Sequence, residues 1–460
     1  MPDHRPQAVQ YAHLNQEKFV DNLKKLVSIP SVSTNPENKP NMQQAAEWIA
    51  GYLNQLGIEH VQIIPTGGHP VVFGEWLKAG SGKPVVLIYG HYDVQPSEPN
   101  ELWETPPFEP TLRGENIYGR GTSDMKGQII ATLSAIESIT SQDPFPVNLK
   151  FIIEGEEEIG SPHLTQFIQD HKELLASTVA LNPDAGMIAA DVPTIVYGLR
   201  GLAYFELRVY GPEHDLHSGM FGGVVHNPAQ VLCELIAGMH DDQGRVTLPG
   251  FYDHVVALGQ EERNELARLP MNEDYYRAQA GVSSLWGEAG FTPVERIGAR
   301  PTLEVNGLLS GFTGTGSKTV LPAYAMAKIS MRLVPDQKPA EIHQALKQYL
   351  EEKAPKTVRW ELVAMQGGPA SMTDPHIPEA EALANALETV WGVRPVYKRE
   401  GGSIPVVADM QEILGIKSVL TGFGLPDDNL HAPNEKLHLP TWYKGIDALI
   451  NFFYNLAEEN

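Results

Sequence analysis

The sequence is poor in cysteine, in positive charge and in long apolar runs. Cys233 is the only cysteine among 460 residues, so the chain forms no intramolecular disulfide, as expected of a reducing compartment. Its apolar neighbours Val231, Leu232, Leu235 and Ile236 read as a helix, which predicts a buried structural thiol rather than a nucleophile. Lysine and arginine number 34 against 57 aspartates and glutamates, a formal net charge of −23. Neither nucleic acid nor an anionic membrane is attracted to such a chain. No segment approaches the ~18 apolar residues of a membrane span, and the first residues carry no apolar run for export. The expectation is a cytoplasmic protein. The sequence also lacks internal repeats and low-complexity segments.

What is present is a globular composition, 42% hydrophobic and 20% charged, in a chain long enough for two domains. Helical spacing of Leu14, Phe19, Leu23, Leu26 and Val27 predicts a helix over 14–27. A second helix, 45–56, closes at Gly57. Strands are expected at 61–64, 71–76, 85–88, 147–153 and 178–181, with helices at 129–139 and 164–175. Such alternation is the pattern of an α/β domain with a mostly parallel sheet flanked by helices. From about Gly198 the pattern changes to half-exposed strands (203–209, 325–333, 357–364) and helices at 229–239 and 339–350. That points to a smaller antiparallel α+β domain inserted into the first. The stretch 240–300 is polar and irregular and receives no assignment. After 370 the strand–helix pattern returns, with helices at 379–389 and 441–457 and a strand at 418–421. The expected boundaries are 1–198 and 370–460 for the first domain and 199–369 for the insert.

The chemistry gathers in turns. Val85, Val86, Leu87 and Ile88 form a buried strand that ends in Gly90-His91-Tyr92-Asp93, and ligands of open α/β sheets bind at that end. Residues i and i+2 share a face of an extended segment. His91 therefore reads as a metal ligand and Asp93 as the carboxylate that orients it, although a hydrogen-bonded histidine would explain this stretch alone. Further acidic turns follow at Asp124, at Glu157 and Glu158, and at Asp184. They recur about once per strand–helix unit of roughly 30 residues, so parallel strands would bring all of them to one rim.

Glu154, Glu156, Glu157 and Glu158 crowd four carboxylates into five positions. At about 6 Å and an effective dielectric near 20, each close pair repels by roughly 2–3 kcal/mol. For Glu154 and Glu156 a solvated acidic loop is the plainer expectation. For Glu157 and Glu158 a cation would turn repulsion into binding, with one as ligand and the other free as general base. Together with His431 these residues offer two imidazoles and three ligating carboxylates. That set suits Zn²⁺, Mn²⁺ or Co²⁺ rather than a calcium cage. Five ligands exceed the needs of one tetrahedral zinc, and a carboxylate bridging two metals would account for the surplus.

The motifs His91-Tyr-Asp-Val-Gln-Pro96, Gly119-Arg-Gly-Thr-Ser-Asp124-Met-Lys-Gly127, Glu154-Gly-Glu-Glu-Glu158-Ile-Gly-Ser161, Asp184, Asp215-Leu-His217-Ser-Gly219 and His431 resemble the zinc metallopeptidase family of carnosinase-type dipeptidases. That family also holds acetylornithine deacetylase, succinyl-diaminopimelate desuccinylase and aminoacylase. The resemblance spans the chain, and Gly-Leu-Arg-Gly at 198–201 places it nearest the dipeptidase branch. It implies a zinc-peptidase-like catalytic domain with an inserted lid and dimerisation domain. Asp124 would bridge two divalent ions, zinc first and manganese or cobalt next. His91 and Asp184 would complete one site, and Glu158 and His431 the other. Glu157 would be the general base, acting on water between the metals, and Asp93 would orient His91. The peptide bond after Asp124 is cis in that family. His217 would reach the active site of a partner subunit in a homodimer, where it would stabilise the oxyanion. Thr319, Arg332 and Ser403 would bind substrate, with Arg332 on its carboxylate. Glu156 is an extra charge before the base and would raise its proton affinity.

The expected function is a dipeptidase acting on dipeptides or short peptides with a free C-terminal carboxylate. An N-acyl amino acid amidohydrolase is the competing enzyme, and a metal-loaded binding protein the competitor outside enzymes.

Overall fold

The computed structural model describes residues 3–142 and 144–458. The chain divides into two units. One comprises Met1–Tyr197, Thr373–Lys398 and Asp409–Asn460, and the other Gly198–Met372 and Arg399–Ala408.

In the first unit, β-branched and aromatic runs form a sheet. Its strands run in the order Glu59–Ile64, Val71–Trp76, Asn148–Glu154, Val85–His91, Val179–Asn182, Lys417–Leu420, Thr194–Leu199. The four from Asn148–Glu154 to Lys417–Leu420 are parallel, and the outer pairs are antiparallel. Strands buried on both faces show no alternation; Asn148–Glu154 is buried at all seven positions. Helix Lys126–Thr140 is buried from Lys126 to Ile139. The last helix, Leu439–Glu458, is tied to it by Trp442, whose indole N–H donates to the Gly127 carbonyl at 2.7 Å.

Several elements differ from expectation. Helix Gln16–Val27 matches the one expected over 14–27, and a separate helix that the sequence reading does not assign, Arg5–Leu14, precedes it across Asn15. Residues 164–175 form two helices, Leu164–Asp170 and Lys172–Leu175. Helix Lys39–Gln55 starts before residue 45 and ends, as expected, where Gly57 takes a left-handed φ of 77°.

The second unit holds an antiparallel sheet in the order Thr302–Ser310, Tyr324–Leu333, Gly201–Tyr210, Arg359–Gly368. Strands Gly201–Tyr210 and Tyr324–Leu333 alternate buried and half-buried along their length. Phe205, Leu207, Val209, Ile329 and Met331 meet Leu232, Leu235, Leu346 and Leu350 of helices Pro228–Ala237 and Pro339–Lys353. Cys233 is exposed, against expectation. Helix Pro228–Ala237 buries Val231, Leu232 and Leu235, and residue 233 lies one step of about 100° beyond Leu232, off the packed stripe. The unassigned stretch contains three short helices, Gln260–Leu266, Glu273–Ala280 and Pro293–Ala299.

Candidate metal centre

Three neighbouring parallel strands bring their C-terminal ends to one rim. His91 is the last residue of Val85–His91, Glu157 and Glu158 form a tight turn after Asn148–Glu154, and Asp184 follows Val179–Asn182. Gly155 enables that turn, because a Cβ there would lie 2.4 Å from the Tyr92 ring. Asp124 comes from the loop before helix Lys126–Thr140. His431 comes from the loop after Lys417–Leu420. The peptide bond between Asp124 and Met125 is cis.

Asp124 stands at the centre. Its Oδ1 lies 3.1 Å from His91 Nε2 and its Oδ2 lies 3.0 Å from His431 Nε2. His91 Nε2 is also 3.8 Å from Asp184 Oδ2, and His431 Nε2 is 3.3 Å from Glu158 Oε2. Two groups follow. The ligand atoms of His91, Asp124 and Asp184 lie within 4.8 Å of one another, and so do those of Asp124, Glu158 and His431. Each could hold a cation, and they share one carboxylate. Glu157 belongs to neither; its Oε2 lies 4.0 Å from His91 Nε2.

Asp93 is fully buried and has two connections. His91 Nδ1 lies 3.1 Å from the Asp93 carbonyl oxygen and 3.4 Å from its Oδ1. The Asp93 carboxylate accepts the backbone N–H groups of Glu157 at 3.2 Å and Glu158 at 3.1 Å. One residue thus holds both the imidazole and the turn that carries the two glutamates.

The electrostatics are those of a centre that calls for positive charge. Burial pushes Glu157 up to about 9; the His91 charge opposes this, and Asp184, Glu158 and Asp124 add to it. Burial, reinforced by Asp124, takes Glu158 to about 7, and burial takes Asp184 to about 6. Burial would raise Asp124 too, but hydrogen bonds with His431 and His91 hold its carboxyl well below the usual range. Crowded buried carboxylates either take up protons or take up a cation. With imidazole and carboxylate donors only, the set fits borderline divalent ions.

Glu154 and Glu156 do not form a solvated loop. Glu154 is buried and accepts from the Tyr89 and Ser161 hydroxyls. Glu156 is buried too, bonded to His163 Nδ1 at 2.8 Å and to the backbone N–H of His69. Glu156 turns away from the centre, and the largest influences on Glu157 are burial, then His91, Asp184, Glu158 and Asp124. The run of glutamates splits because Gly155 and the following turn aim successive side chains in different directions.

Some residues at the centre escaped the sequence reading. Gln95 donates from Nε2 to Glu158 Oε2 at 2.8 Å. Glu435 accepts four hydrogen bonds from residues 120–124. Gln95 lies inside the motif His91–Pro96 and Glu435 four residues after the candidate ligand His431, the only sequence signals that point to them.

The remaining residues named from sequence lie in the second unit and form two local pairs. Arg332 Nη1 donates to Ser403 Oγ at 2.8 Å, and that hydroxyl donates to the Arg200 carbonyl. His217 pairs with Val320 across two short strands, and the Thr319 carbonyl accepts from the Ser218 N–H at 3.0 Å. The Gly219 N–H donates to His217 Nδ1 at 3.0 Å. A neutral ring then carries its proton on Nε2, facing away from that bond.

Among the described residues no helix is long and apolar enough to cross a membrane. Residues 87–455 match the model of Peptidase family M20/M25/M40. The Cys-Gly metallodipeptidase dug1 of Schizosaccharomyces pombe is 32% identical over 96% of this chain and 96% of its own length. The Beta-Ala-His dipeptidase of Homo sapiens is 32% identical over 98% of this chain and 92% of its own. Among solved structures, the metallo-carboxypeptidase Sso-CP2 of Sulfolobus solfataricus superposes with a TM-score of 0.86 at 31% identity, covering 96% of this chain and 99% of that one. The acidic centre, the parallel-sheet fold and similarity along nearly the whole chain agree: the chain is a metallopeptidase that belongs to Peptidase family M20/M25/M40, nearest its dipeptidase branch.

Proposed function

We propose that the chain is a dipeptidase, hydrolysing the amide bond of dipeptides or short peptides that carry a free C-terminal carboxylate. The carrying observation is the placement of Glu157, a carboxylate outside both ligand groups yet beside them. Relatives named for dipeptides and one named a carboxypeptidase have in common a scissile bond next to a free C-terminal residue.

In this reading His91, Asp124 and Asp184 hold one divalent ion and Asp124, Glu158 and His431 the other, zinc first and manganese or cobalt next. Such a pair, when bound, polarises the amide carbonyl and acidifies water. Glu157 takes the proton from the attacking water and returns it to the leaving amine nitrogen, so one carboxylate is base and then acid. Asp93 keeps it in register by accepting the backbone N–H groups of Glu157 and Glu158.

Arg332 binds the substrate carboxylate through its planar fork. Ser403 holds that guanidinium by accepting from it while donating to the Arg200 carbonyl. Thr319 adds a hydroxyl to the substrate site. His217, with its proton on Nε2, donates to the oxyanion of a second copy, which makes the working enzyme a homodimer. Residues 199–369, joined in the second unit by Arg399–Ala408, serve as the lid and dimerisation domain, and the enzyme works in the cytoplasm.

The test is a panel of dipeptides, dipeptide amides and N-acetyl amino acids on protein loaded separately with zinc, manganese and cobalt. The reading expects turnover of dipeptides, weak turnover of the amides and little of the N-acetyl amino acids. Faster turnover of N-acyl substrates would overturn it.

A further inference from the structure

The two ligand groups stand on different supports. His91 is the last residue of its strand and fully buried, and Asp184 lies two residues beyond the end of Val179–Asn182. His431 sits on a loop, its side chain 53% exposed and its backbone left-handed at φ 60°. Asn429 and Asn434 on either side are also left-handed, at 55° and 61°. Within the stretch the Ala432 N–H donates to the Asn429 carbonyl at 3.0 Å, and the Asn434 side chain bonds to Leu102 and Glu104; the buried groups beside it bear further on where His431 points.

Two fully buried carboxylates flank it, Asp428 and Glu435. Asp428 accepts the Ser123 hydroxyl at 2.8 Å, the Leu425 N–H at 2.8 Å and the Lys436 ammonium at 2.9 Å. Glu435 Oε2 accepts Arg120 Nη1 at 2.7 Å and the Gly121 N–H at 3.0 Å. Its Oε1 accepts the Ser123 N–H at 3.0 Å and the Asp124 N–H at 3.2 Å. The Gly119 N–H donates to the Glu435 carbonyl at 2.9 Å. An ion pair with Arg120 needs none of these backbone bonds. Their effect is to wrap the loop that ends in Asp124 around the loop that carries His431.

We propose that Glu435, assisted by Asp428, is the positioning residue of the loop-borne metal site: it fixes His431 against Asp124 and thereby sets the affinity of Asp124, Glu158 and His431 for a divalent ion. The inference rests on the metal-centre reading. It implies unequal sites, the strand-borne one supported by the sheet and the loop-borne one dependent on this buried brace. Groups that orient ligands typically tune affinity by about 10–100-fold.

The experiment is equilibrium dialysis of the full chain against zinc with metal counting, paralleled by titration with cobalt followed by its visible absorption. The unsubstituted protein is expected to take up two ions. In Glu435→Gln the first should bind as before and the second about tenfold or more weaker. The cobalt bands of the second equivalent alone should change, and raised cobalt should restore them. Asp428→Asn should shift the second site the same way by less. Glu435→Asp keeps the charge on a shorter arm, and repeats the test if the glutamine variant fails to fold by circular dichroism. Variants that bind both ions as the unsubstituted protein does, or lose both equally, would overturn the proposal. Uptake of fewer than two ions by the unsubstituted protein would refute the metal-centre reading itself.

Discussion

The strand-borne half of the centre and its loop-borne half use the same donor types on opposite kinds of scaffold. His91 ends a strand paired on both sides, so its position is a property of the sheet. His431 is half exposed on a loop with three left-handed residues, and its position follows from two buried carboxylates nearby. Asp124 joins the halves, one oxygen toward each histidine. The difference teaches that ligand identity and ligand support are separate properties. Fold stability and metal binding are therefore expected to be coupled in the first half and separable in the second.

Asp124→Ala tests the junction and should have the largest effect. Both ions should be lost at stoichiometric zinc, and peptide turnover with them, as read by metal counting and a dipeptide assay. Retention of one tightly held ion would show that the halves do not share this carboxylate. Glu157→Gln comes next. Removing a general base costs about 10²–10⁴-fold in kcat, while zinc content should stay unchanged, because Glu157 stands outside both ligand groups.

A pair of variants addresses the contrast of scaffolds. His91→Ala opens a fully buried site and strips partners from Asp93 and Asp124, so the metal-free protein should lose about 2–3 kcal/mol in urea unfolding. His431→Ala, at a half-exposed position, should change it by about 0.5 kcal/mol or less. Equal losses would erase the distinction. One further prediction lies away from the centre and should leave it untouched. The Asn227 side chain caps helix Pro228–Ala237 by accepting the Ala229 N–H at 2.9 Å. Asn227→Ala should cost about 1 kcal/mol with no change in metal content.

Much of this was legible in the sequence, for physical reasons. Doubly buried strands read as continuous apolar runs, and a strand–helix unit has a fixed length. Acidic turns at that period had to reach one rim. Edge and exposed elements were harder. Strand Thr302–Ser310 went unread because it is an edge strand with an irregularity between Val305 and Gly307 and exposes Leu308 and Leu309. The helices between 260 and 299 are short and polar, although Thr292 and Glu295 form a capping box whose spacing was visible. Cys233 was misplaced because one residue decides which side of a helix a side chain occupies. Glu435, Gln95 and Glu156 share a deeper obstacle. A buried carboxylate or amide is defined by the groups that donate to it or accept from it. Most of those groups lie far along the chain, as Arg120 does from Glu435.

The most direct test is a crystal structure of zinc-loaded protein with anomalous scattering recorded at the zinc edge. The account predicts two adjacent peaks, both in contact with Asp124, one completed by His91 and Asp184 and the other by Glu158 and His431, with Glu157 bonded to neither. A single peak, or two peaks without Asp124 between them, would contradict it.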